Sequence, residues 1–180
     1  AFAASAAGPD LREIILGSEG RLGILTAATV RITPIAARED FRAVFFPDFE
    51  AGQAAARAMV QARLPLSMLR LSTAVETQTN LALAGHPRLI AALERFLAVG
   101  GLAADKCMLI LGFNGSDAQV KLSRHAALDL ARQHSGIHVG RTFGQQWYKN
   151  RFRAPYLRNT LWEMGYAVDT VETVADWVAA

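Results

Sequence analysis

Apolar and polar residues along the 180-residue chain follow two rhythms, one near 2.0 and one near 3.6, and these rhythms divide it into elements. The first signal is a short helix through Ile14 to Leu16, which Asp10 is placed to cap with Glu13 at the third helical position. Gly17, Gly20 and Gly23 then break it. From Ile24 to Ile35 β-branched residues are frequent, and Val30, Arg31, Ile32 and Thr33 alternate, which predicts a strand stopped at Pro34. A second strand is predicted over Phe41 to Phe46, then a helix over Phe49 to Gln61 whose alanines and Met59 give a small-residue packing face. A short strand, Ser67 to Leu71, follows Pro65.

Two helical segments come next, Ala74 to Leu83 and Pro87 to Val99, closed by Gly100-Gly101. Cys107 to Phe113 reads as a strongly apolar strand, Ala118 to Gln133 as a long amphipathic helix, and Gly136 to Gly140 as a short strand. Strand–helix–strand therefore occurs twice, over about 41–71 and 107–140. The expected fold is α+β, an antiparallel sheet with helices packed on one face. Further helices are expected over Phe143 to Arg153 and Pro155 to Met164, with a last strand over Tyr166 to Val171.

Composition narrows the picture. With 52% hydrophobic and 19% charged residues the chain can bury a core, which excludes a disordered class. No apolar run reaches the roughly 18 residues of a membrane-spanning helix. The single Cys107 excludes an internal disulfide framework and fits a reduced, cytoplasmic setting; at the head of an apolar strand it reads as buried filler. The net charge of +3 is too small for the dense basic stripe of a nucleic-acid binder. Arg141, Lys149, Arg151, Arg153 and Arg158 nonetheless lie close together, as a solvated face or as a pocket for a small anion. His134 and His138 are separated by Gly136, and no metal-ligand spacing occurs, so no metal site is expected. The opening AFAASAAG has no secretory pattern, and the chain reads as a fragment of something longer.

The segment Gly17-Ser18-Glu19-Gly20-Arg21-Leu22-Gly23-Ile24-Leu25-Thr26 carries the most information. It lacks the Gly-Lys-Ser/Thr ending of a P-loop, and it runs from helix into strand, the reverse of a dinucleotide fingerprint. Its glycines allow backbone N–H groups to approach a ligand closely, so it is either an ordinary helix-to-strand turn or a loop cradling a phosphate-bearing cofactor.

GPDLREIILGSEGRLGILTAATVRITPIA resembles the end of the flavin-binding domain in the FAD-linked oxidase family of the vanillyl-alcohol-oxidase type, in which the GSEG-x-LG loop lies against FAD. Leu69-Arg70-Leu71, together with Arg153-Ala154-Pro155-Tyr156-Leu157-Arg158-Asn159 and Gly165-Tyr166, is similar to the alkylglycerone-phosphate synthase branch of that family and its bacterial relatives. The resemblance implies residues 1–35 as the last strip of an FAD-binding domain and 36–180 as an incomplete cap, or substrate, domain. It implies FAD contacts from Glu19, Gly20, Arg21, Leu22, Gly23, Ile24 and Leu25, a catalytic Arg70, and a substrate-phosphate contact from Arg158. The pyrophosphate loop and the catalytic tyrosine and histidines would lie outside this stretch, leaving it inactive by itself.

Guanidinium suits both roles, since it binds phosphate or carboxylate bidentately. Alternation points Arg70 away from Leu69 and Leu71. Trp147, Tyr148 and Trp162 could line an acyl-chain channel, although core packing suits them better. The implied reaction replaces the acyl group of acyl dihydroxyacetone phosphate with a fatty alcohol. Two alternatives stay open: an FAD-linked dehydrogenase of a D-2-hydroxy acid, and a non-catalytic α+β module. The implied partner is a small anionic lipid-like or 2-hydroxy-acid substrate, with no nucleic acid and no membrane span. A homodimer is compatible with the chain, and any membrane association would be peripheral, through a lipid substrate.

Overall fold

The computed structural model describes residues 8–152, 154–168, 172 and 174–177, which fall into two compact units, 1–35 and 36–180. In the first, helix α1 spans Leu11–Ile15 and is capped by Asp10, whose side chain accepts from Arg12 N at 3.0 Å. The Arg12 side chain returns to the same carboxylate, and its hydrogen bond helps lower the Asp10 pKa to about 2. The strand expected from Ile24 to Ile35 does not form. Its alternation is real, but a strand exists only as one side of a ladder. No described residue pairs with it, and Ile24, Val30, Ile32 and Ile35 stand exposed.

The second unit is built on a four-stranded sheet of order β2-β3-β1-β4. β1 (Arg38–Phe46) and β3 (Cys107–Gly115) form its centre, paired antiparallel from Arg38 opposite Gly115 to Phe46 opposite Cys107. β2 (Met68–Ser72) adds to the free side of β3, and β4 (Ile137–His138) to that of β1. Helix α2 (Phe49–Gln61) connects β1 to β2, and α5 (Asp117–Gln133) connects β3 to β4. Each strand pair joined by these helices is parallel and brackets a third strand, so the double strand–helix–strand pattern becomes two interleaved split βαβ units. Helices α3 (Ala74–Leu83) and α4 (Pro87–Val99) fill the connection between the halves. Helices α6 (Thr142–Asn150) and α7 (Ala154–Glu163) follow β4.

The antiparallel α+β sheet is as expected, but helices cover both of its faces rather than one. Val44, Phe46, Leu109, Leu111 and Phe113 pack with Ala55 and Met59 of α2 and Val120, Ala127 and Ala131 of α5. The alternate residues Phe41, Ala43, Phe45, Met108 and Ile110 pack with Leu81 of α3, Leu93 and Leu97 of α4, and Phe143 of α6. Local chemistry starts each helix where the sequence changes. Asp48 accepts from Ala51 N at 2.8 Å to open α2, and Ser116 with Gln119 forms a reciprocal capping box at α5. Thr77 accepts from Met108 N at 3.0 Å and so ties α3 to the sheet. Helix α6 lies directly on β1: the rings of Phe41 and Tyr148 are 4.6 Å apart, and Tyr148 Oη donates to Glu39 Oε2 at 2.6 Å.

The strand expected over Tyr166 to Val171 is absent at residues 166–168, where Tyr166 N instead donates to Leu161 O at 2.9 Å at the end of α7, and 169–171 lie outside the described residues. Arg153, expected in the penultimate helix, also lies outside them. Among the described residues no helix is long and apolar enough to cross a membrane.

Candidate functional site

Strand β2 places Arg70 opposite Ile110, on the face covered by α3, α4 and α6, while Leu69 and Leu71 turn into the core under α2. The alternation therefore directs the guanidinium as the sequence implies, and the side chain is 47% exposed. Arg70 Nη2 donates to Glu76 Oε1 in the first turn of α3. Thr73, which accepts from Glu76 N at 3.3 Å, fixes where that carboxylate begins. Glu76 occupies one edge of the Arg70 fork, and its Nε and Nη1 have no hydrogen-bond partner among the described residues. Glu76 had no signal in the sequence beyond its place six residues after Arg70.

A cavity of about 480 Å³ lies between the α3–α4 turn and the start of α6, lined by Pro87, Leu89, Ile90, Phe143, His86 and Gln146. Its size falls within the range of small-molecule sites, and its wall is overwhelmingly apolar. Trp147 and Tyr148 are spent on Phe41 and the sheet, whereas Trp162 is exposed beneath Arg158, whose guanidinium carbon sits 5.0 Å from the Trp162 ring centre. Arg158 and Arg70 share no partner among the described residues.

In the first unit, Glu19 through Leu25 form an exposed loop. Gly17, Gly20 and Gly23 all have positive φ, as does Glu19 at 50°, a conformation disfavoured for a side chain with a Cβ. The N–H groups of Leu22, Gly23, Ile24 and Leu25 donate to nothing among the described residues, and a Cβ built on Gly20 or Gly23 would meet no atom within 4 Å. This is open backbone with donors to spare.

The strongest electrostatic feature escaped sequence reading. Asp40 on β1 is wholly buried; it accepts hydrogen bonds from Arg42 and Arg124 and forms an ion pair with Arg141. Arg42, its same-face neighbour on β1, donates from Nε at 3.0 Å and from Nη2 at 2.9 Å. Arg124 of α5 donates from Nη1 at 2.8 Å, and Arg141, just before α6, lies with Nε at 3.2 Å. Burial alone would raise the Asp40 pKa, but the hydrogen bonds from Arg42 and Arg124 outweigh it and hold the carboxyl below its ordinary 3.8. The one available signal was an Asp and an Arg at alternate positions leading into the apolar Val44 and Phe46 of the same face.

The sign of the resulting pH dependence is fixed. Asp40 contributes its full stability above pH 3.8, where the unfolded carboxyl is ionised as well, and loses it as the pH falls through the lower folded value. The stability gap between the wild-type chain and Asp40→Asn should therefore be widest at pH 7 and narrow below about pH 4. Urea titrations at pH 7, 4 and 3 measure it; a gap that stays constant would contradict the ionised assignment.

Cys107 is buried at the start of β3, and burial raises its thiol pKa, as suits packing and not nucleophilic chemistry.

Comparison with known proteins places this architecture. The family described as FAD linked oxidases, C-terminal domain, matches residues 36–180. An alkyldihydroxyacetonephosphate synthase of Dictyostelium discoideum is 26% identical over 182 residues, covering 97% of this chain and 30% of that protein. One from Caenorhabditis elegans is 29% identical over 178 residues, covering 94% and 30%. A solved alkyldihydroxyacetonephosphate synthase superposes with a TM-score of 0.70 at 26% identity, covering 87% of this chain and 29% of that one. The chain thus spans about 30% of the length of the relatives it matches.

Proposed function

The chain belongs to the FAD linked oxidases through their C-terminal domain, and from that premise we propose that it is the cap domain, 36–180, with the last strip of the flavin domain, 1–35, of an FAD-dependent alkylglycerone-phosphate synthase-like enzyme. In the reaction the alkoxy group of a fatty alcohol replaces the acyloxy group of acyl dihydroxyacetone phosphate, which leaves as the fatty acid, a step of ether-lipid synthesis. The observation that carries this reading is the face of the sheet on which Arg70, with donors to spare, stands together with the apolar cavity between the α3–α4 turn and α6. An anion and an alkyl chain are the two halves of such a substrate, and similarity to synthases over nearly the whole chain agrees with it.

The loop from Glu19 to Leu25 fits the cofactor, because its free N–H groups and open glycines leave room for a flat polar edge to approach the backbone. Glu19 through Leu25 are the residues that would hold FAD. When bound, FAD supplies an isoalloxazine ring able to take up electrons from a substrate. The remaining work falls to side chains. Arg70, steadied by Glu76, clamps the anionic headgroup and fixes its distance from the reacting atoms, a positioning and charge effect. Arg158, stacked on Trp162, supplies a second cation for the phosphate. The cavity walls keep water from the alkyl chain.

The test uses the full-length protein, given acyl dihydroxyacetone phosphate and a labelled fatty alcohol. Ether-linked product is expected, and Arg70→Gln should lower kcat/KM about 100-fold. Arg70→Lys should recover little, since ammonium cannot copy the two-pronged contact. Absence of ether product, with anaerobic bleaching of the flavin by a D-2-hydroxy acid, would replace this reading with a dehydrogenase. A protein that binds no flavin would sink both.

A further inference from the structure

We infer that the arginines gathered on Asp40 form a second anion site, for a dianionic phosphate, on the opposite face of the sheet from Arg70. Asp40 and Arg42 share the β1 face covered by α2 and α5, whereas Arg70 pairs opposite Ile110 on the face covered by α3, α4 and α6. The two sites are further separated along the sheet, because Arg70 belongs to the edge strand β2 and the Asp40 group lies at the β1–β4 end.

The charge count motivates the site. One carboxylate faces three guanidinium groups, and no other acidic side chain among the described residues reaches Arg42, Arg124 or Arg141. Two positive charges are therefore left uncompensated at a site whose inner wall is sheltered and whose outer side opens to solvent, with Arg42 14%, Arg124 26% and Arg141 51% exposed. Nearby nitrogen chemistry agrees: partial desolvation and the charges of Arg42 and Arg124 hold the pKa of His138 down, outweighing the attraction of Asp40.

The donor count says what the site would take. Asp40 engages Nε and Nη2 of Arg42, Nη1 of Arg124 and Nε of Arg141. Nη1 of Arg42, Nε and Nη2 of Arg124, and both Nη atoms of Arg141 have no partner among the described residues. Asp40 thus acts as the orienting centre for guanidinium groups whose remaining N–H donors suit the oxygens of a phosphate, and a residual charge of two matches a dianion. A phosphate monoester and free inorganic phosphate share this chemistry.

The test is calorimetric titration of the full-length protein carrying Arg70→Gln and Arg158→Gln, which removes both cations proposed for the substrate phosphate from the reading. Inorganic phosphate and sn-glycerol 3-phosphate are the two titrants. Binding is expected, and adding Arg124→Gln should weaken it about 10- to 100-fold, the effect of one charge-assisted contact. Arg124→Lys should retain an intermediate affinity and guards against loss of fold. Tighter binding of the monoester identifies an esterified ligand, and equal binding identifies free phosphate. The inference is overturned if the Arg70→Gln/Arg158→Gln protein binds neither titrant, or if adding Arg124→Gln leaves the affinity unchanged. Since ether-product formation is read separately, failure here leaves the proposed activity standing, and the converse.

Discussion

Gly144→Ala is expected to destabilise the chain by about 3 kcal/mol, at the upper end of what overpacking normally costs. A methyl group there would lie 2.5 Å from Phe41 C and 2.6 Å from both Arg42 N and Phe41 O. All three are backbone atoms in the central strand β1, so neither side can yield by rotating a side chain. Helix α6 must then lift off the sheet, taking with it the Tyr148–Phe41 ring contact and the Tyr148–Glu39 hydrogen bond. At an unconstrained helical position the same change stabilises by about 0.5–1 kcal/mol, because Gly loses more backbone entropy on folding. Gly52 in α2 supplies the control. Its added methyl would meet Leu71 Cδ1 at 2.6 Å, the tip of a flexible side chain, and Gly52→Ala should stay within about 1 kcal/mol of wild type. Urea denaturation of the two variants decides the matter; equal stabilities would mean that α6 does not approach β1 this closely.

Asp40→Ala should cost about 3–5 kcal/mol, the range for breaking a sheltered ion pair from one side. Arg42, Arg124 and Arg141 would then face one another without their shared anion. At an effective dielectric constant of about 20, two unit charges about 4 Å apart interact by about 4 kcal/mol, so the repulsion is of the same order as the stability of a whole domain. Asp40→Asn, which keeps the shape and one acceptor, should fall between. Replacing Arg42 as well, in Asp40→Ala/Arg42→Ala, should recover part of the loss, which a double-mutant cycle from denaturation midpoints would report as coupling. A loss under 1 kcal/mol for Asp40→Ala, or simple additivity in the cycle, would show that the arginines find water as good a partner as the carboxylate.

Much of the second unit was legible because its signals were local. The break at Pro65 separates α2 from β2 within the sequence itself, and Gly100-Gly101 closes α4 where expected. β1 begins three residues before the expected strand, since Arg38, Glu39 and Asp40 have the pattern of a solvated turn and are held in the ladder by distant partners, Asp117, Tyr148 and the arginines. Those partners are long-range, which is also why the Asp40 group escaped notice. The second helical layer was written in the chain, because Ala43 to Phe46 and Cys107 to Leu111 are unbroken apolar runs, the mark of strands covered on both faces. Residues 24–35 teach the opposite lesson. Alternation reports which side of a strand wants cover, and it is silent on whether a neighbouring strand is there to pair with.

The interleaving of the two split units also governs how the chain is made. Phe46 closes β1 and its partner Cys107 opens β3, with α2, β2, α3 and α4 all encoded between them. At the roughly 5–20 residues per second of protein synthesis, β1 waits about 3–12 s before the strand that will cover its edge has been translated. At the start of that interval Ala43 to Phe46 offer an apolar ribbon with unpaired backbone; α2 is the first neighbour made and shields one side, and α3 and α4, which pack on the other, follow before β3 does. The most deeply buried part of the finished protein is therefore its most exposed part at birth, and the ribosome-bound chain, more than the folded one, is where holding chaperones would find their grip.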